Sequence, residues 1–221
     1  MERVVARLEP LLTEARIRRM RSVLAVRSDH VAFVFERMID PHNLSAALRS
    51  LDAFSFQDAH LVRPGGRLGL TRGITIGAER WLTLHEAPSS QACLSGLKEA
   101  GYRVYASHLG GGEARPLTEI DFGRRTALVF GNEHLVVSEE MLALADARFR
   151  IDMLGFAQSL NLSVAVAVSA FHARREIERL RPADPAPARF DLTEARRQSL
   201  YEQWLRHSVK HADRIVGEEG D

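Results

Sequence analysis

Short apolar strands alternate with amphipathic helices through most of this chain, and that alternation limits the fold more than any other feature. Val31 to Glu36, Ala59 to Arg63, Trp81 to His85, Arg103 to Ala106, Thr126 to Phe130 and Arg148 to Ile151 read as strands. Between them, Asn43 to Phe54 puts Leu44, Ala47, Leu48 and Leu51 on one helical face. Ser89 to Ala100 is a helix ended by Gly101, and Ser138 to Ala145 is another. The pattern predicts an α/β fold with a mostly parallel, doubly wound sheet. Such sheets take their ligands outside the carboxyl ends of the strands.

One of those ends is unusually informative. After Arg150-Ile151 the chain enters a loop with Gly155, reaches Ser159 as a prospective N-cap, and continues into the apolar helix Leu160 to Ala170. A glycine-bearing loop that feeds a helix N-terminus presents free backbone N–H groups to a ligand. By shape alone an ordinary strand-to-helix turn is the commoner reading. Residues 64–73 and Gly110 to Gly112 are further glycine-rich loops. At the ends of the chain, residues 2–20 have helical spacing interrupted by Pro10. Residues 182–188, Pro-Ala-Asp-Pro-Ala-Pro-Ala, read as a stiff extended linker, and Asp191 as the cap of a last helix running to about Arg214.

With 221 residues, 45% hydrophobic and 27% charged, the chain matches a globular domain with terminal extensions. No apolar run approaches membrane-spanning length, and the N-terminus lacks an apolar signal core, so a cytoplasmic protein is expected. The single Cys93 reads as a small buried residue, and no Cys/His cluster has metal-ligand spacing, so no metal is expected. The net charge of +1 conceals basic ends: residues 1–30 hold seven arginines against four acids, while residues 31–171 hold thirteen basic residues against fifteen acids. Arg16, Arg18 and Arg19 form the densest cluster, and Arg174 and Arg175 lie in the second basic stretch. Either group is a solvated helix face or a phosphate-binding surface.

Three segments carry a family resemblance. Pro41-His42-Asn43-Leu44-Ser45-Ala46-Ala47-Leu48-Arg49 comes first. Leu128-Val129-Phe130-Gly131-Asn132-Glu133, with Val137-Ser138-Glu139-Glu140, comes second. Met153-Leu154-Gly155 with Gln158-Ser159-Leu160-Asn161 and Leu162-Ser163-Val164-Ala165 comes third. In this order they resemble the three signatures of the SpoU/TrmH family of RNA ribose 2′-O-methyltransferases, and the tRNA branch most of all. The resemblance implies a SPOUT domain, a mostly parallel sheet whose C-terminal part, about residues 126–175, threads a trefoil knot. It divides the chain into a basic helical extension (1–22), the SPOUT domain (23–180), and a linker with a C-terminal helix (181–221). It also implies S-adenosylmethionine as cofactor, tRNA as partner, and a homodimer with sites near its interface, to which the helix Leu160 to Phe171 would contribute.

The same resemblance assigns residues. The cofactor would lie among Ala106 and Ser107, Phe130, Gly131 and Asn132, and Ile151, Met153 and Leu160. Arg49 is the family's catalytic position. Arginine is a poor proton acceptor, so its role is to orient the 2′-hydroxyl and stabilise the developing alkoxide. Asn43 would sit near the target ribose, although a place at the helix start suggests an N-cap as well. Glu133 would hold Asn43 or Arg49. Ser159 would combine capping with function, and Asn161 would fix loops or substrate. One departure stands out: the family usually has proline where this chain has Asp152. That carboxylate either pairs with the donor's amino group or, left unpaired, weakens donor binding; the second is expected, since the family manages without an acid there.

The reading favoured by the signatures is ribose 2′-O-methylation of tRNA at the D-loop guanosine eighteen. The alternative enzyme is an rRNA ribose methyltransferase. An inactive RNA-binding knot is the alternative of another class; Asp152 favours it, and the intact set Asn43, Arg49, Glu133, Ser159 and Asn161 argues against it.

Overall fold

Residues 2–38, 40–63, 77–109, 113–132 and 137–217 are described in the computed structural model of the chain. The loops expected at 64–73 and at Gly110 to Gly112 lie outside them, as does Glu133. The helices are α1 (Glu2–Leu8), α2 (Glu14–Leu24), α3 (Pro41–Ala53), α4 (Ser90–Glu99), α5 (Glu139–Leu144), α6 (Leu162–Leu180), α7 (Glu194–Ser208) and α8 (Ala212–Val216). The chain divides into two units, residues 29–190 and residues 1–28 with 191–221.

In the larger unit, β1 (Val31–Glu36), β2 (Asp58–Val62), β3 (Thr83–Ala87), β4 (Arg103–Ser107), β5 (Ala114–Pro116), β6 (Thr126–Phe130) and β7 (Ala147–Arg150) form one sheet. Their order is β3-β2-β1-β6-β4-β7-β5, and every neighbouring pair is parallel. The expected parallel α/β sheet is therefore present. β1 and β6 are buried along their whole length. Val31, Phe33, Phe35, Leu128 and Phe130 face a core shared with α3 and α6. Ala32, Val34, Ala127 and Val129 face a second core shared with α4 and α5. A strand covered on both faces needs apolar residues at consecutive positions rather than alternating ones, which explains Val-Ala-Phe-Val-Phe and Thr-Ala-Leu-Val-Phe.

The helix starts differ from expectation in two places. α3 begins two residues earlier than Asn43: Asp40 is the N-cap, its carboxylate accepts the His42 N–H at 2.9 Å, and Pro41 takes the first helical position. α6 is capped by Asn161 rather than Ser159 and runs on to Leu180. Residues 181–190 are not an extended linker: they contain 3-10 turns at Arg181–Ala183 and Pro187–Phe190, the second ending in the fully buried Phe190.

In the smaller unit, Pro10 falls in a 3-10 turn (Glu9–Leu11) between α1 and α2, and Thr13 caps α2. Thr193, not Asp191, caps α7, and the single expected last helix breaks after Ser208, with His211 at φ +59° before α8. Leu8, Leu24, Leu200, Trp204, Leu205 and Val216 are buried there. The fully buried Arg27 sets its guanidinium 5.5 Å from the centre of the Trp204 ring. Among the described residues no helix is long and apolar enough to cross a membrane.

Cys93 is buried on α4, where loss of solvent pushes its thiol up to about 12, consistent with a packing residue. His30 is 2% exposed, its Nε2 donating to the Phe122 carbonyl at 3.0 Å. Burial lowers its pKa from the ordinary 6.5 despite that bond. The native state therefore holds the ring neutral, and the unfolded chain takes up a proton as pH falls through about 6.5. Stability supplied by this site is complete above that value and declines below it. The thermal midpoint is expected to drop between pH 7.5 and 5.5, and to drop less in His30→Gln, as read by calorimetry at both pH values; equal drops would remove His30 as a cause.

Candidate functional site

The carboxyl ends of β4, β6 and β7 and the loop from Ile151 to Asn161 enclose a cavity of about 530 Å³. Parallel strands leave their terminal backbone groups and loops at this edge, so the sheet itself dictates the place. Phe130, Phe149, Ile151, Leu160, Leu162 and Ala165 give it an apolar wall. Ser107, Asn132, Ser159 and Asn161 add polar groups, and His108, Arg150 and Asp152 are the ionisable side chains among the described lining residues. Size and lining suit a nucleoside-sized ligand.

Of the residues expected around the cofactor, Ser107, Phe130, Gly131, Asn132, Ile151, Met153 and Leu160 line this cavity. Ala106 does not: it is fully buried in β4 and packs into the core shared with α4 and α5. His108 and Arg150 were not singled out from the sequence. Arg150 had a legible signal, a cation closing a strand two residues before an acid.

That acid is not unpaired. Arg150 Nε donates to Asp152 Oδ1 at 2.8 Å, and Arg150 Nη1 also donates to the Ala114 carbonyl of β5. The expectation of an uncompensated charge in the cavity is thereby corrected; Asp152 already has a cation beside it. Gly155, in the glycine-bearing loop before α6, has neither a positive φ nor a neighbour that a Cβ would strike.

Asn161 joins the cavity to α3. Its Oδ1 accepts the Ser163 N–H at 2.9 Å and the Ser163 hydroxyl at 2.6 Å, closing the start of α6. Its Nδ2 donates to Asn43 Oδ1 at 3.1 Å, across the packed pair α3 and α6. Asn43, in the first turn of α3, is thus brought to the cavity wall although it does not line it. Ser159 lines the cavity, exposed and outside the cap. Arg49 is exposed on α3 and is not a lining residue; six positions past Asn43, it stands roughly 9 Å further along the helix axis.

The candidate RNA-facing arginines differ among themselves. Arg16, Arg18 and Arg19 are exposed on α2, with Arg18 paired to Glu14 at 2.9 Å. Arg174 and Arg175 on α6 both reach Glu178, at 3.1 and 3.0 Å, and the Arg174 side chain is only 16% exposed.

With this geometry established, the relatives of the chain are informative. The model of the SpoU rRNA Methylase family matches residues 30–171. The chain belongs to this family. It is 43% identical over 164 residues to a tRNA (guanosine(18)-2'-O)-methyltransferase of Thermus thermophilus, a match covering 74% of this chain and 84% of the relative. The crystal structure of the A. aeolicus TrmH/SpoU tRNA modifying enzyme superposes with a TM-score of 0.76 at 29% identity, covering 89% of this chain and 98% of that one. An AdoMet-bound rRNA methyltransferase from Sinorhizobium meliloti has a TM-score of 0.56 at 27% identity, covering 68% and 57%. Family membership extends over the whole cavity and over α3, since both fall within the matched residues.

The double duty of Asn161 can be separated. Asn161→Ala removes the cap and is expected to lower the unfolding free energy by about 1 kcal/mol. Asn161→Ser keeps a capping oxygen but is too short to reach Asn43, and most of that stability should return. Denaturant titration of both variants checks this; an alanine variant as stable as wild type would mean that Asn161 does not cap α6.

Proposed function

We propose that this chain transfers the methyl group of S-adenosylmethionine to a ribose 2′-hydroxyl of tRNA, with guanosine 18 as its target. The observation that carries the reading is the Asn161–Asn43 hydrogen bond, which makes the apolar cavity and the start of α3 one site. The Thermus relative, named for guanosine 18 of tRNA, supports the choice of RNA and nucleotide.

When bound, S-adenosylmethionine supplies an electrophilic methyl group. The chain's own residues do the rest. Phe130, Ile151 and Leu160 would hold the adenosine and keep water from it, and Ser107 and Asn132 would offer hydrogen-bonding groups at the strand ends. Arginine is a poor proton acceptor, so Arg49 is assigned the role of a charge rather than a base. It orients the ribose hydroxyl and stabilises negative charge as the proton leaves. Asn43 and Asn161 set the ribose against the cavity mouth, Ser159 lies at the same rim, and Glu133 is assigned to hold α3 side chains. The SPOUT body, with a knot over about residues 126–175, is assigned to residues 23–180. The segments 1–22 and 181–221 flank it, and Arg16, Arg18 and Arg19, aided by Arg174 and Arg175, are assigned to RNA phosphates. The cytoplasm, where tRNA is found, is its place.

Arg49→Ala is expected to lower methyl transfer by about 10²–10³-fold, the usual effect of losing one preorganised charge stabiliser, with folding intact. Transfer of labelled methyl groups to tRNA, to tRNA with guanosine 18 replaced, and to rRNA tests the whole reading. Label on tRNA lost with guanosine 18 supports it. Label on rRNA alone would move the enzyme to the rRNA branch, and full turnover by folded Arg49→Ala would remove that residue from the chemistry.

We also propose that two copies pair through α6. Val164, Val168 and Phe171 are 45%, 38% and 54% exposed at positions that fall on one helical stripe. Leu154 and Phe156, in the loop before the helix, are wholly exposed. An exposed apolar stripe preceded in the chain by two exposed apolar loop residues fits a second copy of the same surface. Light scattering should report a dimer at micromolar concentration and a monomer for Val168→Glu; a wild-type monomer with full activity would refute the pairing.

A further inference from the structure

Glu36 ends the apolar strand β1 and is 1% exposed. Its carboxylate meets three neutral donors. Oε2 accepts the Ser138 N–H at 2.8 Å, and Oε1 accepts the hydroxyls of Ser138 at 2.5 Å and Ser90 at 3.2 Å. Ser138 is the N-cap of α5, accepting the Met141 N–H at 3.2 Å, and Ser90, fully buried, is the first residue of α4. Two helix starts therefore converge on one acid, where the partial positive charge of both favours an anion.

The next residue extends the junction. Arg37 adopts a left-handed backbone, φ +53°, and donates its N–H to the Val62 carbonyl at 3.0 Å. Its own carbonyl accepts Asn132 Nδ2 at 3.4 Å. Asn132 lines the cavity and is 8% exposed. Asn132 and Ser138 are thus fastened to residues 37 and 36 respectively. α3 is held separately, by Asn43 to Asn161 and by Phe54 against Phe171 at 5.7 Å between ring centres.

We propose that Glu36 is a positioning residue that fixes the β6 side of the cavity, so that donor affinity depends on it through Gly131 and Asn132. This rests on the reading of the cavity as the donor site. An ionised carboxylate only accepts and satisfies all three donors. A glutamine has one acceptor oxygen, and its amide N–H groups would face a donor. Losing the anchor frees the wall after β6 but leaves α3 packed on α6, so the donor is affected and the RNA is not.

The test compares wild type, Glu36→Gln and Ser138→Ala, using calorimetry with S-adenosylhomocysteine, tRNA binding, and amide hydrogen exchange of residues 137–144. Glu36→Gln is expected to raise the dissociation constant for S-adenosylhomocysteine about 10–100-fold, as loss of an outer supporting partner does at other sites. Its tRNA affinity should stay at the wild-type value, and α5 should exchange faster. Ser138→Ala should show the same signs, more weakly. A purely structural role would lower the melting temperature and leave ligand affinity and α5 exchange of the folded variant unchanged; that result overturns the proposal. If Glu36→Gln does not fold, Ser138→Ala with unchanged affinity and exchange overturns it. A wild type that binds no S-adenosylhomocysteine counts against the proposed function instead, and exchange in the variants then decides the positioning role.

Discussion

With α3 and α6 on one face of the sheet and α4 and α5 on the other, β1 and β6 have no solvent face, and polar chemistry is displaced to the strand ends. Along β1, β4, β6 and β7 the central side chains go largely to packing. At their ends the character changes: Glu36 after Val-Ala-Phe-Val-Phe, Ser107 after Tyr-Ala, Gly131 and Asn132 after Leu-Val-Phe, Arg150 after Phe149. The parallel direction brings all four ends to the same edge. The cavity is thus a consequence of strand direction and two-sided burial, and the loops only furnish it.

What aligns the furnishing is packing between α3 and α6 more than any single polar bond. The Asn43–Asn161 hydrogen bond lies in exposed surroundings, where such bonds contribute about 1 kcal/mol net. It could not hold two helices in register. Leu44, Ala47, Leu48 and Leu51 of α3 and Val166, Ala170, Ala173 and Ile177 of α6, all buried in one core, can. The amide pair then selects one relative placement of two side chains on helices already fixed. Asn161 suits this task because its two amide ends differ: the oxygen closes its own helix and the nitrogen reaches across to the other.

The strands were legible because two-sided burial writes itself as apolar runs, and the helices because one-sided burial writes itself at helical spacing. Caps were legible only in part. Ser159 and Asn161 are equally good N-caps by residue type, and the sequence does not show where the loop turns inward. Asp40 had a better signal, since a proline directly after it marks the first helical position. The three-residue edge strand Ala114–Pro116 leaves no periodicity to read. In the 181–190 segment the prolines suggested an extended spacer, but proline also suits the start of a 3-10 turn, and burial of Phe190 decides the matter. Of the site, the signatures contain about half of the described residues along the cavity, and they leave out His108, Phe149 and Arg150. They did not reveal Glu36, whose partners Ser90 and Ser138 lie far from it in the chain.

Asp152 stands where the family resemblance leads to an expectation of proline, and the surrounding residues compensate for it physically. Proline would stiffen the loop after β7 by fixing φ, reducing the freedom of the unfolded chain. Aspartate does neither, and it adds a charge beside a cavity suited to a neutral nucleoside. Here Arg150 answers both points. It compensates the charge at 2.8 Å, and through Ala114 it fastens the loop to the edge strand β5. The side chains of the pair remain 34% and 52% exposed, so the ion pair itself is worth no more than about 1 kcal/mol. A ring constraint has been exchanged for a polar one of similar size. The two are not equivalent in every condition, because a ring ignores ionic strength while an exposed ion pair is screened by it. In this chain the fastening of the loop that walls the cavity is therefore sensitive to salt, as the proposed phosphate contacts would be, a sensitivity that a proline at the same position would not create.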